Sequence, residues 1–182
     1  MHGNQPDSFT ALQRVVVPFG LGAVLMAAMN LLVLEVLQGQ YPGVSAAYIR
    51  ACASPLFAAV QEPLTSKLLP AIFVLAWTRR LNQAAWLRTR WATVAAGGGL
   101  VVGALELVSK LARGPIQLSV VPPVVLHVLT ATIVGWAVFR TAGRRRTVID
   151  LHLVVLAVGL AVSVHLGWSR FVWPTLTGGL PC

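Results

Sequence analysis

Apolar residues run through this chain in five long stretches, near 15–37, 54–78, 92–112, 119–140 and 148–168, separated by short polar or Gly/Pro-bearing segments. Each stretch is close to the roughly 20 residues an α-helix needs to cross a hydrocarbon core about 30 Å thick. The pattern predicts an all-α, polytopic transmembrane helical bundle of about five spans. It forms a single domain over 1–182, with a polar tail at 1–14 and a second tail at 169–182. No repeat or second domain shows, and the connections are too short to hold a soluble domain. The segment 39–53, GQYPGVSAAYIRACA, fits a loop and a short interfacial helix equally.

Composition supports the same class. Of 182 residues 57% are hydrophobic and 10% charged, and the mean hydropathy is +0.77. A soluble core of this size cannot hide that much apolar surface, so an integral membrane protein is expected, with the lipid bilayer as its first partner. The net charge of +9 comes from 14 Lys+Arg against 5 Asp+Glu. In so apolar a chain the basic residues act as topology signals, and no nucleic acid is expected as a partner.

Between the second and third stretches lies TRRLNQAAWLRTR, and between the fourth and fifth RTAGRRRT, each with four arginines. Five spans in this order put both loops on one side, which the positive-inside rule makes cytoplasmic, with the N-terminus inside and the C-terminus outside. Arg50, Lys110, Arg113 and Arg170 lie on or near the other side and weaken the contrast. Arg144, Arg145 and Arg146 are positive-inside residues that can also meet anionic headgroups.

The polar opening MHGNQPDSFTALQR lacks a basic n-region, and the following apolar run is full length, so the first segment is expected to stay as an anchor. Trp77, Trp91, Trp136, Trp168 and Trp173 lie near stretch ends, as aromatic belts do. Cys52 and Cys182 have no metal-ligand spacing and imply no disulfide framework.

Ionisable residues inside the stretches carry the candidate chemistry, because each costs roughly 2.5–3.5 kcal/mol at mid-helix and so tends to face the bundle interior. Four stand out: Glu62, Glu106, His127 and His165. With the topology above, Glu62 and His127 each lie about 12 Å below the outer boundary at 1.5 Å per residue, and Glu106 and His165 lie closer to it. Four spans thus each contribute one acid or imidazole to a single layer in the outer half.

Spacing adds detail. Gly99, Gly103, Glu106 and Lys110 share one helical face, and the small residues let a neighbouring backbone come close to the carboxylate. Gly135 follows His127 on its face, Thr65 and Ser66 follow Glu62, and Ser169 is four residues after His165. A plainer account stands beside this one. Glu106 and Lys110 at i, i+4 can neutralise each other, and a membrane histidine can hydrogen-bond a neighbouring helix. Asn30 and Glu35 in the first stretch stand apart from the layer, Glu35 as a hydrated end.

These residues resemble the motifs of the PrsW-type intramembrane proteases, relatives of the type II CAAX prenyl proteases. That family carries EExxK on one helix, FxxxE on the next, a helix beginning with His and followed by Thr, Ala and Gly, and a last His-x-x-x-Asp/Asn helix. Here VQEPLTSK resembles the first motif with Glu62 on its second glutamate, and VGALE the second with Glu106 on its glutamate and Val102 for the aromatic. HVLTATIVGW resembles the third through His127 and Gly135, and HLGWS the fourth through His165. Order and spacing agree over the second to fifth stretches. Gln61 replaces the first glutamate, Thr65 fills the lysine position with Lys67 two residues beyond, and Ser169 replaces the terminal acid or amide. Pro63 directly after Glu62 can bend the helix.

The resemblance implies hydrolysis of a peptide bond in a membrane-embedded protein substrate, such as a single-span regulator, near the outer leaflet of a prokaryotic plasma membrane. Catalytic roles fall on Glu62, Glu106, His127 and His165. Water is then activated by Glu62 directly, or through a metal held by some of these four. Two carboxylates and two imidazoles suit Zn2+, but no local metal signature decides whether a metal is used.

Other classes stay open. A non-catalytic scaffold or interaction relative is favoured by Gln61 and Ser169. A proton or cation transporter would need polar residues continuing to the inner side, where Asp150 and His152 offer a thin path. A bis-histidine haem carrier would use His127 and His165 and leave both glutamates unexplained. A cysteine enzyme built on Cys52 lacks partners at a convincing spacing.

Overall fold

The computed structural model describes residues 8–45, 48–49, 55–111, 121–142 and 147–172, and side chains within 12–45, 48–49, 57–108, 121–142 and 147–172. The described elements are helices. They are α1 (Ser8–Gln40), α2 (Pro55–Pro63), a π-helical turn (Leu64–Leu68), α3 (Leu69–Arg80), α4 (Ala84–Leu111), α5 (Val121–Phe139) and α6 (Val148–Gly167), which runs into a terminal π-helical turn (Trp168–Val172). Four stretches are long and apolar enough to cross a membrane: Leu12–Gln40, Ala84–Val108, Val121–Phe139 and Val148–Val172. The second stretch expected from the sequence is Pro55–Arg80, a contiguous helical segment broken in the middle by the π turn. Arg50, Cys52, Arg113, Arg144, Arg145, Arg146, Trp173 and Cys182 lie outside the described residues, as does the Lys110 side chain.

The break has a local cause. Pro63 has no N–H to give the preceding turn, and its ring crowds that turn. The two hydroxyls that follow serve the backbone carbonyls around it: Thr65 Oγ1 donates to Gln61 O at 2.9 Å and Ser66 Oγ to Glu62 O at 2.7 Å. With those carbonyls engaged, the ladder widens to i→i+5 bonding, and Leu69 N donates to Leu64 O. α1 packs directly on this turn. A Cβ built on Gly22 would stand 2.6 Å from Thr65 O and from Pro70 Cγ, so only glycine admits this approach.

α5 is the central helix, packed on α4, α3, α6 and the π turn, while α1 covers α4 and the turn. The antiparallel α4 and α5 come close through small residues. A Cβ on Gly99 would lie 2.6 Å from both His127 O and Val128 Cα, and one on Gly135 would lie 2.4 Å from Ala95 Cβ. The expected close approach along the Gly99–Gly103 face is therefore present, and it places α4 beside His127. Toward the arginine-bearing end the interior is apolar, with Val74, Leu75, Leu87, Val134, Val138 and Phe139 buried. Leu21, Leu31, Val155 and Leu156 point outward, as lipid-facing residues do.

The TRRLNQAAWLRTR segment differs from expectation. Most of it is the first two turns of α4, and the connection is only Leu81–Gln83, closed by Asn82 at φ 55°. Neither Gly nor Pro interrupts 84–96, and arginine is a good helix former. Buried Arg14 of α1 donates to the Gln83 side chain, which places the N-terminal end of α1 on the arginine-rich side. At the same end Arg79 Nη2 donates to Thr141 O at 2.6 Å. Asp150 forms a capping box with Thr147 and lies 3.8 Å from Arg140 Nε.

Candidate functional site

The end of the bundle opposite the arginines holds a polar cluster contributed by four helical segments. Glu62 comes from the last turn of α2, Lys67 from the π turn, Glu106 from the C-terminal half of α4, His127 from the second turn of α5, and His165 from the last turn of α6. The four residues singled out from the sequence are thus brought together, and a fifth joins them.

Glu62 Oε1 is the focus. His165 Nε2 lies 2.8 Å from it, His127 Nδ1 3.2 Å and Lys67 Nζ 3.3 Å. The polar contacts of Glu62 with described side chains fall on this one oxygen. The ligand atoms of Glu62, His127 and His165 all lie within 4.8 Å of one another. Glu106 stands one step back, 2.5 Å from His127 Nε2, so it addresses the site through the histidine.

These partners orient both rings. The Glu106 carboxylate accepts from His127 Nε2–H, which turns Nδ1 inward toward Glu62. That Nδ1 is buried and makes no hydrogen bond, although it faces Glu62 Oε1. His165 Nδ1 donates to Ala161 O at 2.9 Å, which turns Nε2 to Glu62. The rings sit 6.0 Å apart between centroids.

Carboxylate and imidazole groups so arranged, with outer partners on both rings, form a donor set of the kind a divalent metal takes. Glu62, His127 and His165 would hold such an ion, with Glu106 orienting His127. The Lys67 ammonium, on the same Glu62 oxygen, opposes it by like charge.

Several expectations are refined. Lys67 lies on Glu62 although it is five positions further along, and it is fully buried, with Ser66 Oγ 3.0 Å from Nζ. At 3.6 residues per turn an i, i+5 pair diverges around the helix, and the π turn closes that divergence. Thr65 serves the backbone instead of the cluster, while Ser66 serves both the Glu62 carbonyl and the Lys67 ammonium. Gln61 points to α1, its Nε2 donating to Met26 O at 3.3 Å. Ser169 lies half-buried in the terminal π turn and makes no hydrogen bond among the described residues. Glu106 pairs with His127, so the plain i, i+4 account with Lys110 is not its whole environment.

Spacing alone does not place Lys67 here; the local hint is Pro63 with hydroxyl residues two and three positions later, which can serve backbone carbonyls. Asp150 is engaged at the opposite end by its cap and Arg140, and His152 is exposed on the outer face of α6 with Nδ1 on Val148 O. Val134, Val138 and Phe139 fill the interior between the cluster and that end. No family model, curated protein or solved structure matches this chain.

Proposed function

We propose that this protein is an intramembrane peptidase, similar in plan to the PrsW-type proteases, acting on membrane-embedded protein segments in the outer half of a prokaryotic plasma membrane. The observation that carries the reading is the convergence of Glu62, His127 and His165, from three helical segments, inside an apolar bundle. Structural ion pairs are uncommon at such depth because burying them is costly, whereas reactive groups need this placement.

Glu62 acts as general base. Its Oε1 is engaged by two imidazoles and an ammonium, so Oε2 is the oxygen that takes a proton from water. His127, held by Glu106, and His165, held by the Ala161 carbonyl, stand where they can stabilise the tetrahedral oxyanion and protonate the leaving amine.

A transporter is less well supported. Asp150 and His152 are turned to other tasks, and the inner half of the bundle is apolar. A haem carrier is disfavoured because the Glu62 oxygen already stands between the two imidazoles.

The test is cleavage of single-span reporter proteins in membranes, comparing the native chain with Glu62→Gln at matched expression. Cleavage is expected to fall by about 10²–10⁴-fold in the variant, with the bundle intact. If the native chain cuts no reporter in a broad panel, the enzymatic reading gives way to a non-catalytic scaffold.

A further inference from the structure

We propose that Lys67 is the resident cation of this cluster: set onto Glu62 by the π turn, its ammonium holds the charge position that a divalent metal would otherwise fill among Glu62, His127 and His165. The inference rests on reading this cluster as the functional site, and its test is independent of peptide cleavage.

Glu62 Oε1 faces His127 Nδ1 at 3.2 Å, and Nδ1 is buried with no hydrogen bond. A carboxylate held away from water calls for positive charge beside it. Lys67 Nζ lies 3.3 Å from the same oxygen, on a side chain with no exposed surface, and Ser66 Oγ at 3.0 Å helps to hold it. Ser66 is itself anchored on Glu62 O, so lysine, hydroxyl and carboxylate are tied into one unit.

Formal charge agrees with this. Glu62 and Glu106 bring two negative charges and Lys67 one positive. The lysine thus offsets one of the two carboxylate charges, which lowers the cost of holding them inside a membrane. A divalent ion added beside the ammonium would leave excess positive charge and place like charges a few ångströms apart. The π turn gives the lysine its position: in an unbroken α-helix Lys67 would leave the face of Glu62. By engaging Oε1 the lysine also fixes the Glu62 carboxylate and leaves Oε2 outside these polar contacts. It is a positioning residue, not a catalytic one.

The experiment is Co2+ binding to the full chain in detergent, read from the visible absorption of the bound ion, with size-exclusion profile and thermal unfolding as checks on the fold. Lys67→Met is expected to bind Co2+ about 100-fold or more tightly than the native chain, because a like-charge contact is removed. Lys67→Arg keeps the charge and is expected to retain the weak native affinity. Adding His165→Ala to Lys67→Met should abolish the gain, which locates the ion in this cluster. If Lys67→Met fails to fold, Lys67→Gln takes its place. Equal affinity in the native chain and the neutral variant, whether both bind Co2+ or neither does, overturns the proposal. Reporter cleavage is not read, so a failed peptidase reading leaves either result interpretable.

Discussion

The two halves of the bundle are held together by different forces. In the half bearing Glu62 and His127, helices meet through glycine contacts at Gly22 and Gly99, and the interior is a network of carboxylates, imidazoles and one ammonium. In the half nearer the arginines, large apolar side chains such as Leu75, Leu87 and Phe139 fill the interior, and polar groups are confined to the rim. Dispersion packing is insensitive to charge and tolerant of small polar changes at its edges, whereas a buried network depends on every partner. The apolar half should therefore govern stability, and the polar half should govern chemistry.

The strongest challenge to that division is Phe139→Ala. Phe139 is fully buried in the apolar half, and the cavity should cost about 3–5 kcal/mol, read by reversible unfolding in mixed micelles. Cleavage per folded molecule should stay unchanged, and a loss of turnover matching the loss of Glu62 would erase the distinction between the halves.

Gly99→Val sits on the boundary. Its new side chain must push the His127–Val128 backbone away from α4, costing about 1–3 kcal/mol. It should also lengthen the Glu106–His127 contact, so stability and cleavage fall together. A variant that loses stability alone would show that the helix approach does not position His127.

Glu106→Gln is the mildest change. It leaves packing nearly intact and removes the charge that orients His127. Cleavage should drop by about 10–100-fold, with the unfolding midpoint within a degree or two of native. Unaltered cleavage would reduce Glu106 to a structural neighbour.

The fold was largely legible because each apolar run matched the thickness of a bilayer, a requirement that overrides local propensity. The ends were less so. Residues 84–91 carry two arginines and two tryptophans, which read as loop by polarity but propagate a helix readily, and the single left-handed Asn82 makes the turn. In the site, Glu62, Glu106, His127 and His165 were legible because ionisable groups in apolar runs are rare. Lys67 was not, since its contact with Glu62 depends on a change of helical pitch that residue spacing alone does not reveal. Gln61 and Ser169 occupy positions where the resembling family has acidic or amide groups. Gln61 is spent on the α1 backbone, and Ser169 sits beyond a second widened turn.

A π turn is an α-helix carrying one surplus residue, and here the surplus sets the torsional offset between α2 and α3. Deleting a single residue from Leu64–Ser66 would let the segment return to regular pitch, with the lysine four positions after Glu62. Straightening the turn with every residue kept would instead rotate α3 by about 100° against α2 and draw Arg79 away from the Thr141 carbonyl it holds at the far end. With its present residues the segment can be regular, or it can be docked at both ends, but not both. The irregular turn is thus the join that lets one continuous helix serve two differently built halves.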